Sequence, residues 1–185
     1  MLPLSRFPEV DAVLGPEMRS TGEVMGIDMT FGRAFLKAQT AAGTLLPDSG
    51  TVFLSLADRD KPAGLVVARR LRQLGLALVA TSGTADSLAR FGEAVDRVIP
   101  RLAASGPGAG RNAVELIECG EINFVVNTPR GSGPRSDGQA IRRAASAKHV
   151  PLVTTIAAAL AVAQGMAEQA GGARTVCALQ DYHQR

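Results

Sequence analysis

The chain has 185 residues, which suffices for one compact domain with an appended segment. Its 20 basic and 17 acidic residues nearly balance, and the absence of a basic run argues against a nucleic-acid partner. With 46% apolar and 20% charged residues, and with polar residues interrupting every long apolar stretch, we expect a cytoplasmic protein without a membrane span or signal peptide.

The N-terminal 48 residues differ from the rest of the chain. Residues 1–30 show no sustained hydrophobic period and are typical of the end of a larger module. Residues 31–48 contain Phe31, Phe35 and Ala38 at helical spacing before Gly43, which predicts a linking helix and a short linker. Residues 49–185 are predicted to form a domain of their own.

From residue 51 onward, predicted strands alternate with predicted helices. The strands are almost entirely apolar, which is typical of strands buried on both faces. This pattern predicts a three-layer, Rossmann-like α/β fold with a parallel sheet of about five strands and helices on both faces. Strands are expected at 51–56, 76–80, 97–99, 123–127 and 151–153, helices at 58–74, 84–91, 112–119, from Ser136 and at 155–170, and a last extended piece at 176–179.

The two cysteines, Cys119 and Cys177, show neither metal-ligand spacing nor a disulfide framework. Free cysteines are among the most buried residue types, so both are predicted to be reduced core residues. No metal site is expected in this chain.

Polar residues follow the predicted strands at the edge where ligands bind parallel sheets. Thr81 and Thr84 flank Gly83 at a helix start, which suits either an anion cradle or an ordinary helix cap. Lys61 opens the helix after the first strand, where it either pairs with a neighbouring aspartate or faces an anion.

Asn127 and Thr128 follow another strand, where Asn127 could bind a phosphate or a base edge, or serve only as a turn residue before Pro129. Thr154 follows the last strand and could equally cap the long helix. Because all these residues follow parallel strands, the topology would gather them at one edge of the sheet.

The segment Gly15 to Gly26 (GPEMRSTGEVMG) resembles a stretch near the end of an ATP-grasp module in carbamoyl-phosphate synthase large subunits. Ser55 to Lys61, Ala80 to Thr84, Asn127 to Pro129 and Ala140 to Ala144 resemble the methylglyoxal-synthase-like allosteric domain that follows it in that family. The resemblance implies that residues 1–30 are the tail of the ATP-grasp module, 31–48 a linker and 49–185 the allosteric domain.

The resemblance also implies a division of labour. The intact enzyme makes carbamoyl phosphate from glutamine, bicarbonate and ATP with Mg or Mn, for arginine and pyrimidine biosynthesis, and is expected to be an oligomer with a glutamine amidotransferase small subunit. The ATP-grasp modules hold the nucleotide for the reaction, so this part of the chain is expected to have no catalytic residue, no cofactor and no ligase activity of its own. Its implied ligands are UMP or IMP, with ornithine at the border to the ATP-grasp module.

The implied site residues fall into two sets. Arg101 stands where the family usually has a lysine followed by an EGRP-like segment, and a Gly-rich loop follows it here. Pro129 stands where some members carry a second threonine. The nucleotide set consists of Lys61, Thr81, Thr84, Arg101, Asn127 and Thr128, and the ornithine set of Thr154 and Leu2.

Two alternatives remain at this stage. A methylglyoxal synthase would need a carboxylate base in a Gly-Gly-Asp motif, which the sequence lacks, and Asp137 suits an ordinary first-turn position. The altered loop at 100–111 instead favours an interaction module that has lost its effector pocket.

Overall fold

The computed structural model describes residues 13, 22–100, 110–129, 136–172 and 176–182. Leu2, Arg101 and most of the segment Gly15 to Gly26 therefore lie outside the described residues. The described elements, in chain order, are α1 (Phe31–Ala41), β1 (Thr51–Ser55), a 3₁₀ turn (Asp58–Asp60), α2 (Lys61–Gln73), β2 (Ala77–Thr81), α3 (Ser82–Ala89), β3 (Arg97–Ile99), α4 (Ala113–Glu118), β4 (Phe124–Asn127), α5 (Ser136–Ala147), β5 (Leu152–Val153), α6 (Ile156–Ala170) and α7 (Leu179–Tyr182).

The five strands form one parallel sheet in the order β3-β2-β1-β4-β5. The strand order reverses at β1, which makes its carboxyl end, between β2 and β4, the switch point where such sheets bind ligands. The three-layer parallel α/β architecture predicted from the sequence is confirmed.

The sheet separates two hydrophobic clusters. Helices α2, α3 and α6 pack on one face, over β1 residues such as Val52 and Leu54. Helices α4 and α5 pack on the other face, around Phe53 and Val125. Successive β1 residues alternate between the two clusters because side chains of a strand alternate between its faces.

Helix α1 packs against α6, on the side of α6 that faces away from the sheet. The predicted linking helix is therefore attached to the α/β layers. Glu168 of α6 accepts a hydrogen bond from the Arg33 backbone N–H at 3.1 Å and another from the Thr30 hydroxyl, so it caps the start of α1. Gly26 approaches α1 so closely that a Cβ there would overlap the Ala34 carbonyl oxygen.

Two expectations are wrong. Both cysteines are free as expected, but Cys119 is exposed at the end of α4 and Cys177 is only half-buried. The expected extended piece at 176–179 is not a strand: residues 176–178 have no regular structure, and Leu179–Tyr182 form the single turn α7.

Within the described ranges, no helix combines the length and apolar character that crossing a bilayer requires. The same residues contain no group of three or more His, Cys, Asp or Glu side chains that could hold a metal ion.

Candidate functional site

The carboxyl ends of β2, β1 and β4 lie side by side and bring three predicted residues to one edge of the sheet. Leu54 pairs with Ala80 and Ser55 pairs with Asn127, so Thr81 and Asn127 flank the end of β1. Neighbouring strands are about 4.8 Å apart, which places these two residues about 10 Å apart, on either side of the end of β1. We call the region bounded by Lys61, Thr81 and Asn127 the strand-tip site.

Thr84 and Thr128 form the base of this site rather than its open surface. Thr84 Oγ1 accepts a hydrogen bond from the Leu56 N–H at 3.0 Å, and Thr128 Oγ1 accepts one from the Ala57 N–H at 2.8 Å. Their residue exposures are 0% and 4%. Both hydroxyls therefore fix the loop that leaves β1, and in this structure they support the site from below.

Two helices begin at the strand-tip site without a side-chain cap. Thr81 occupies the N-cap of α3 and Asp60 that of α2, and neither side chain accepts a bond from its own helix. By contrast, Thr30, Asn112 and Thr155 do cap α1, α4 and α6. The first-turn N–H groups of α3 are thus left for water or for an anion, which the positive end of the helix dipole favours. At the start of α2 the Lys61 N–H already bonds the Asp58 carbonyl and Pro62 has no N–H, so α2 offers fewer donors.

Thr81 adds a hydroxyl at the mouth of the site. It is half-buried, and its Oγ1 lies 3.1 Å from Thr84 Oγ1. With Thr81 as the donor to Thr84, its oxygen can only accept further bonds; with Thr84 as the donor, the Thr81 proton remains for an acceptor such as a phosphate oxygen.

Lys61 is a cation beside the strand tips, and it is already paired. Its Nζ lies 2.6 Å from Asp58 Oδ1, with the lysine side chain 17% exposed and the aspartate 75% exposed. The sequence left open whether Lys61 pairs with a neighbouring aspartate, and the structure shows the Asp58 pair. A bound anion would have to share the ammonium with Asp58 or displace that carboxylate toward solvent.

Asn127 is held from behind by a buried arginine. Arg142 of α5 donates from Nη1 to Asn127 Oδ1 at 2.7 Å, and the two residues are only 6% and 3% exposed. The sequence analysis did not single out Arg142. Its position next to Ile141 and one turn after Gly138, on the inward face of α5, is the signal that could have found it.

Thr154 lies at the same edge, one strand further out than Asn127. It follows β5, which pairs with β4, and it is half-buried. Its neighbour Thr155 is the residue that caps α6, through a hydrogen bond from the Ala158 N–H at 3.2 Å. Thr154 itself is therefore not needed as the helix cap.

Two cavities of about 480 and 260 Å³ lie elsewhere, beside α1 and the last turn of α6. Gln169 lines both, and α6 runs for about 20 Å from the strand-tip edge to that residue. None of the described residues of the predicted site lines either cavity. The candidate site consequently rests on converging polar groups at the strand ends.

Residues 64–154 match the MGS-like domain family. This match extends from the first turns of α2 to the residue after β5 and includes Thr81, Asn127 and Thr154. That part of the chain is therefore an MGS-like domain. The five-stranded parallel sheet agrees with this class of fold.

Matches to curated proteins extend over nearly the whole chain. It is 49% identical over 184 residues to the carbamoyl phosphate synthase large chain of Rubrobacter xylanophilus, and 47% identical over 192 residues to that of Mycobacterium sp. (strain JLS). It is 49% identical over 179 residues to the carbamoyl phosphate synthase large chain, C-terminal section, of Methanopyrus kandleri. The chain is thus a relative of the C-terminal region of carbamoyl phosphate synthase large chains.

The lengths differ greatly between this chain and those relatives. The alignments cover 99% of this chain but 17% of the Rubrobacter and Mycobacterium proteins, and 96% of this chain but 32% of the Methanopyrus protein. The chain spans about one-sixth of the full-length relatives.

Proposed function

We propose that this chain is the effector-binding part of a carbamoyl phosphate synthase large chain and that a nucleoside monophosphate, UMP or IMP, binds at the strand-tip site. The observation that carries the proposal is the convergence of Lys61, Thr81, Asn127 and the uncapped start of α3 at the switch point of the sheet. These groups are hydrogen-bond donors or a cation, which suits a phosphate dianion. Arg101 completes the proposed set, and Thr84 and Thr128 support it from below.

The proposed role is regulation rather than catalysis. The described groups at the strand tips bind and orient an anion, and the nearest carboxylate named there, Asp58, is engaged by Lys61. In the proposed whole enzyme, the ATP-grasp modules would use ATP with Mg or Mn, and a small subunit would supply ammonia from glutamine. Thr154 and Leu2 would contribute to an ornithine site beside them.

The proposal is tested by isothermal titration calorimetry of the 185-residue chain with UMP, IMP and ornithine in turn. Lys61→Ala should weaken nucleotide binding about 10- to 100-fold, because a charge-assisted contact contributes about 1.5–3 kcal/mol. Lys148→Ala is the matched control, since Lys148 is exposed at the end of α5 that lies away from the strand tips. An equal loss in both variants would contradict a specific role for Lys61.

The Lys61–Asp58 ion pair favours one alternative, an interaction module that has lost its effector pocket. In that case the aspartate permanently neutralises the cation, and all three titrations would give flat traces. Asp58→Ala frees Lys61, so it should tighten nucleotide binding if the effector proposal is correct.

The second alternative is a methylglyoxal synthase. Such an enzyme would release methylglyoxal from dihydroxyacetone phosphate, which a colorimetric assay detects.

A further inference from the structure

The contact between Arg142 and Asn127 determines which atom of the Asn127 amide faces the strand-tip site. A guanidinium has five N–H donors and no acceptor, so the amide atom next to it must be the carbonyl oxygen. The 2.7 Å contact to Oδ1 therefore fixes the amide orientation chemically. The NH₂ group must then point away from Arg142.

The Asn127 NH₂ group retains some contact with solvent, although the residue as a whole is only 3% exposed. The Arg142 contact is the only hydrogen bond of the Asn127 side chain in the described structure. Every side-chain nitrogen or oxygen that is sealed from solvent among the described residues has a hydrogen-bond partner. The Asn127 NH₂ group is thus an accessible donor at the end of β4, beside the end of β1.

A glycine in α5, Gly138, lies next to the Arg142–Asn127 contact. Gly138 lies one turn before Arg142, and a Cβ there would lie 3.0 Å from Arg142 Nη1 and 3.5 Å from Asn127 Oδ1. The glycine leaves the guanidinium and the amide room to meet in a nearly closed space. Arg142 also takes part in a further interaction, so its position does not depend on Asn127 alone.

We propose that Arg142 is a positioning residue that locks the Asn127 amide so that the strand-tip site presents donors, and thereby selects a phosphate monoester over a cation. This inference rests on the proposed function. Without Arg142 the amide is free to flip, and a flipped amide would present its carbonyl oxygen to the phosphate. The energetic consequence is the difference between an attractive and a repulsive contact at one wall of the site.

The test uses calorimetric titration of the 185-residue chain with UMP and with inorganic phosphate as probes. Arg142→Met should weaken both about 10-fold, whereas Arg143→Met, on the exposed face of the same helix, should leave both unchanged. Arg142→Lys should recover part of the affinity, because an ammonium also carries donors only. Equal affinities of Arg142→Met and the wild-type chain would overturn the proposal.

A double-mutant cycle separates positioning from a direct or purely structural role. If Arg142 acts through Asn127, then Arg142→Met should have no further effect on UMP affinity in the Asn127→Ala background. Additive losses would overturn the proposal, since Arg142 would then act by its own charge or through the fold. Should Arg142→Met fail to fold, Arg142→Gln provides the cycle instead, because a glutamine amide carries both a donor and an acceptor and so does not fix the Asn127 amide.

The Asn127 side-chain NH₂ resonances in a ¹H–¹⁵N spectrum give a direct readout. In the wild-type chain they should form one sharp pair that shifts on addition of phosphate, and in Arg142→Met they should broaden as the amide flips. Unchanged sharp resonances in the variant would show that Arg142 does not fix the orientation of the Asn127 amide.

The two proposals can fail separately. If the wild-type chain binds neither UMP nor phosphate, the proposed function fails. If it binds them and substitution of Arg142 has no effect, only this inference is overturned.

Discussion

Thr84 joins three parts of the strand-tip site through one hydroxyl. Its oxygen accepts the Leu56 N–H at 3.0 Å and lies 3.1 Å from Thr81 Oγ1, while the residue itself is fully buried. The Leu56 N–H is buried in the loop that leaves β1, so it depends on this acceptor. Removing the hydroxyl would leave a buried donor without a partner, which costs more than the net value of an ordinary hydrogen bond.

Thr84→Val keeps the shape of the side chain and removes only the hydroxyl. We expect the free energy of unfolding to fall by about 1–3 kcal/mol, the typical cost of an unsatisfied buried donor. Urea denaturation followed by circular dichroism measures the change. Thr84→Ser retains the hydroxyl and should keep this bond, so a Val variant no less stable than the Ser variant would refute this account.

The sequence predicted that the residues after the strands meet at one edge of the sheet, but not the task of each threonine. Apolar strands followed by Thr81, Asn127 and Thr154 suffice to place these residues together once the sheet is parallel. Whether a hydroxyl faces a ligand or a backbone N–H depends on the path of the loop after β1. That path is set by contacts such as the Ala57–Thr128 bond, which joins residues 71 positions apart.

Helix α6 shows how a helix that is apolar all round is accommodated. Ala159, Val162 and Ala163 pack toward the sheet and α2, while Gly165 lies against α1. The helix is covered from both sides, so it has no wide polar face. The sequence predicted the helix correctly, yet its second partner, α1, came from a segment interpreted as a linker.

Gly165 allows α1 and α6 to approach each other. A Cβ at this position would lie 2.7 Å from both the Gly32 carbonyl oxygen and Leu36 Cγ. One of these neighbours is backbone and cannot rotate away. The close approach therefore requires glycine although alanine is the better helix former.

We expect Gly165→Ala to lower the free energy of unfolding by about 1–3 kcal/mol, because overpacking outweighs the gain of about 1 kcal/mol in helix propensity. Thermal or urea denaturation of the full chain measures the change. Gly171→Ala at the end of the same helix is the matched control, since its Cβ would come no closer than 3.6 Å to any other residue. Greater stability of Gly165→Ala than of wild type would contradict the packing argument.

Two features that the sequence missed depend on more than the local hydrophobic pattern. One turn of helix, α7, is too short to show a hydrophobic period, and it lies where Tyr182 meets Lys37, 145 positions earlier in the sequence. Cys119 ends α4 and is exposed, because the position of a residue within a helix, not its type alone, determines its burial. The long apolar strands β1, β2 and β4 needed no such information.

At the scale of the whole molecule, two aspartates link stability to pH. Asp96 accepts a hydrogen bond from the Leu78 N–H at 2.7 Å, and this bond, with Arg72 nearby, lowers the pKa of Asp96 below 3.8. The hydrogen bond from Lys37 likewise lowers the pKa of Asp28. A lowered pKa means that the unfolded chain binds more protons, so each carboxylate stabilises the fold fully above its ordinary pKa.

The free energy of unfolding should therefore decrease as the pH falls from about 5 through 3.8 toward the lowered pKa values. Asp96→Asn should lower the free energy of unfolding at pH 7 by only about 1 kcal/mol, because about half of the Asp96 side chain is exposed to solvent. It should also make the loss of stability below pH 5 less steep. Urea titrations at several pH values measure both effects. Asp86→Asn, exposed on α3, is the control; an unchanged pH slope in Asp96→Asn would rule out this linkage.

The chain has one tyrosine and no tryptophan. That tyrosine, Tyr182, donates its hydroxyl proton to the Ile27 carbonyl at 3.2 Å, and its ring centre lies 6.0 Å from Lys37 Nζ. Its fluorescence consequently reports a single location, the junction of α7 with the segment before α1. Release of that junction on heating, or on association with another protein, can be followed optically without introducing a label.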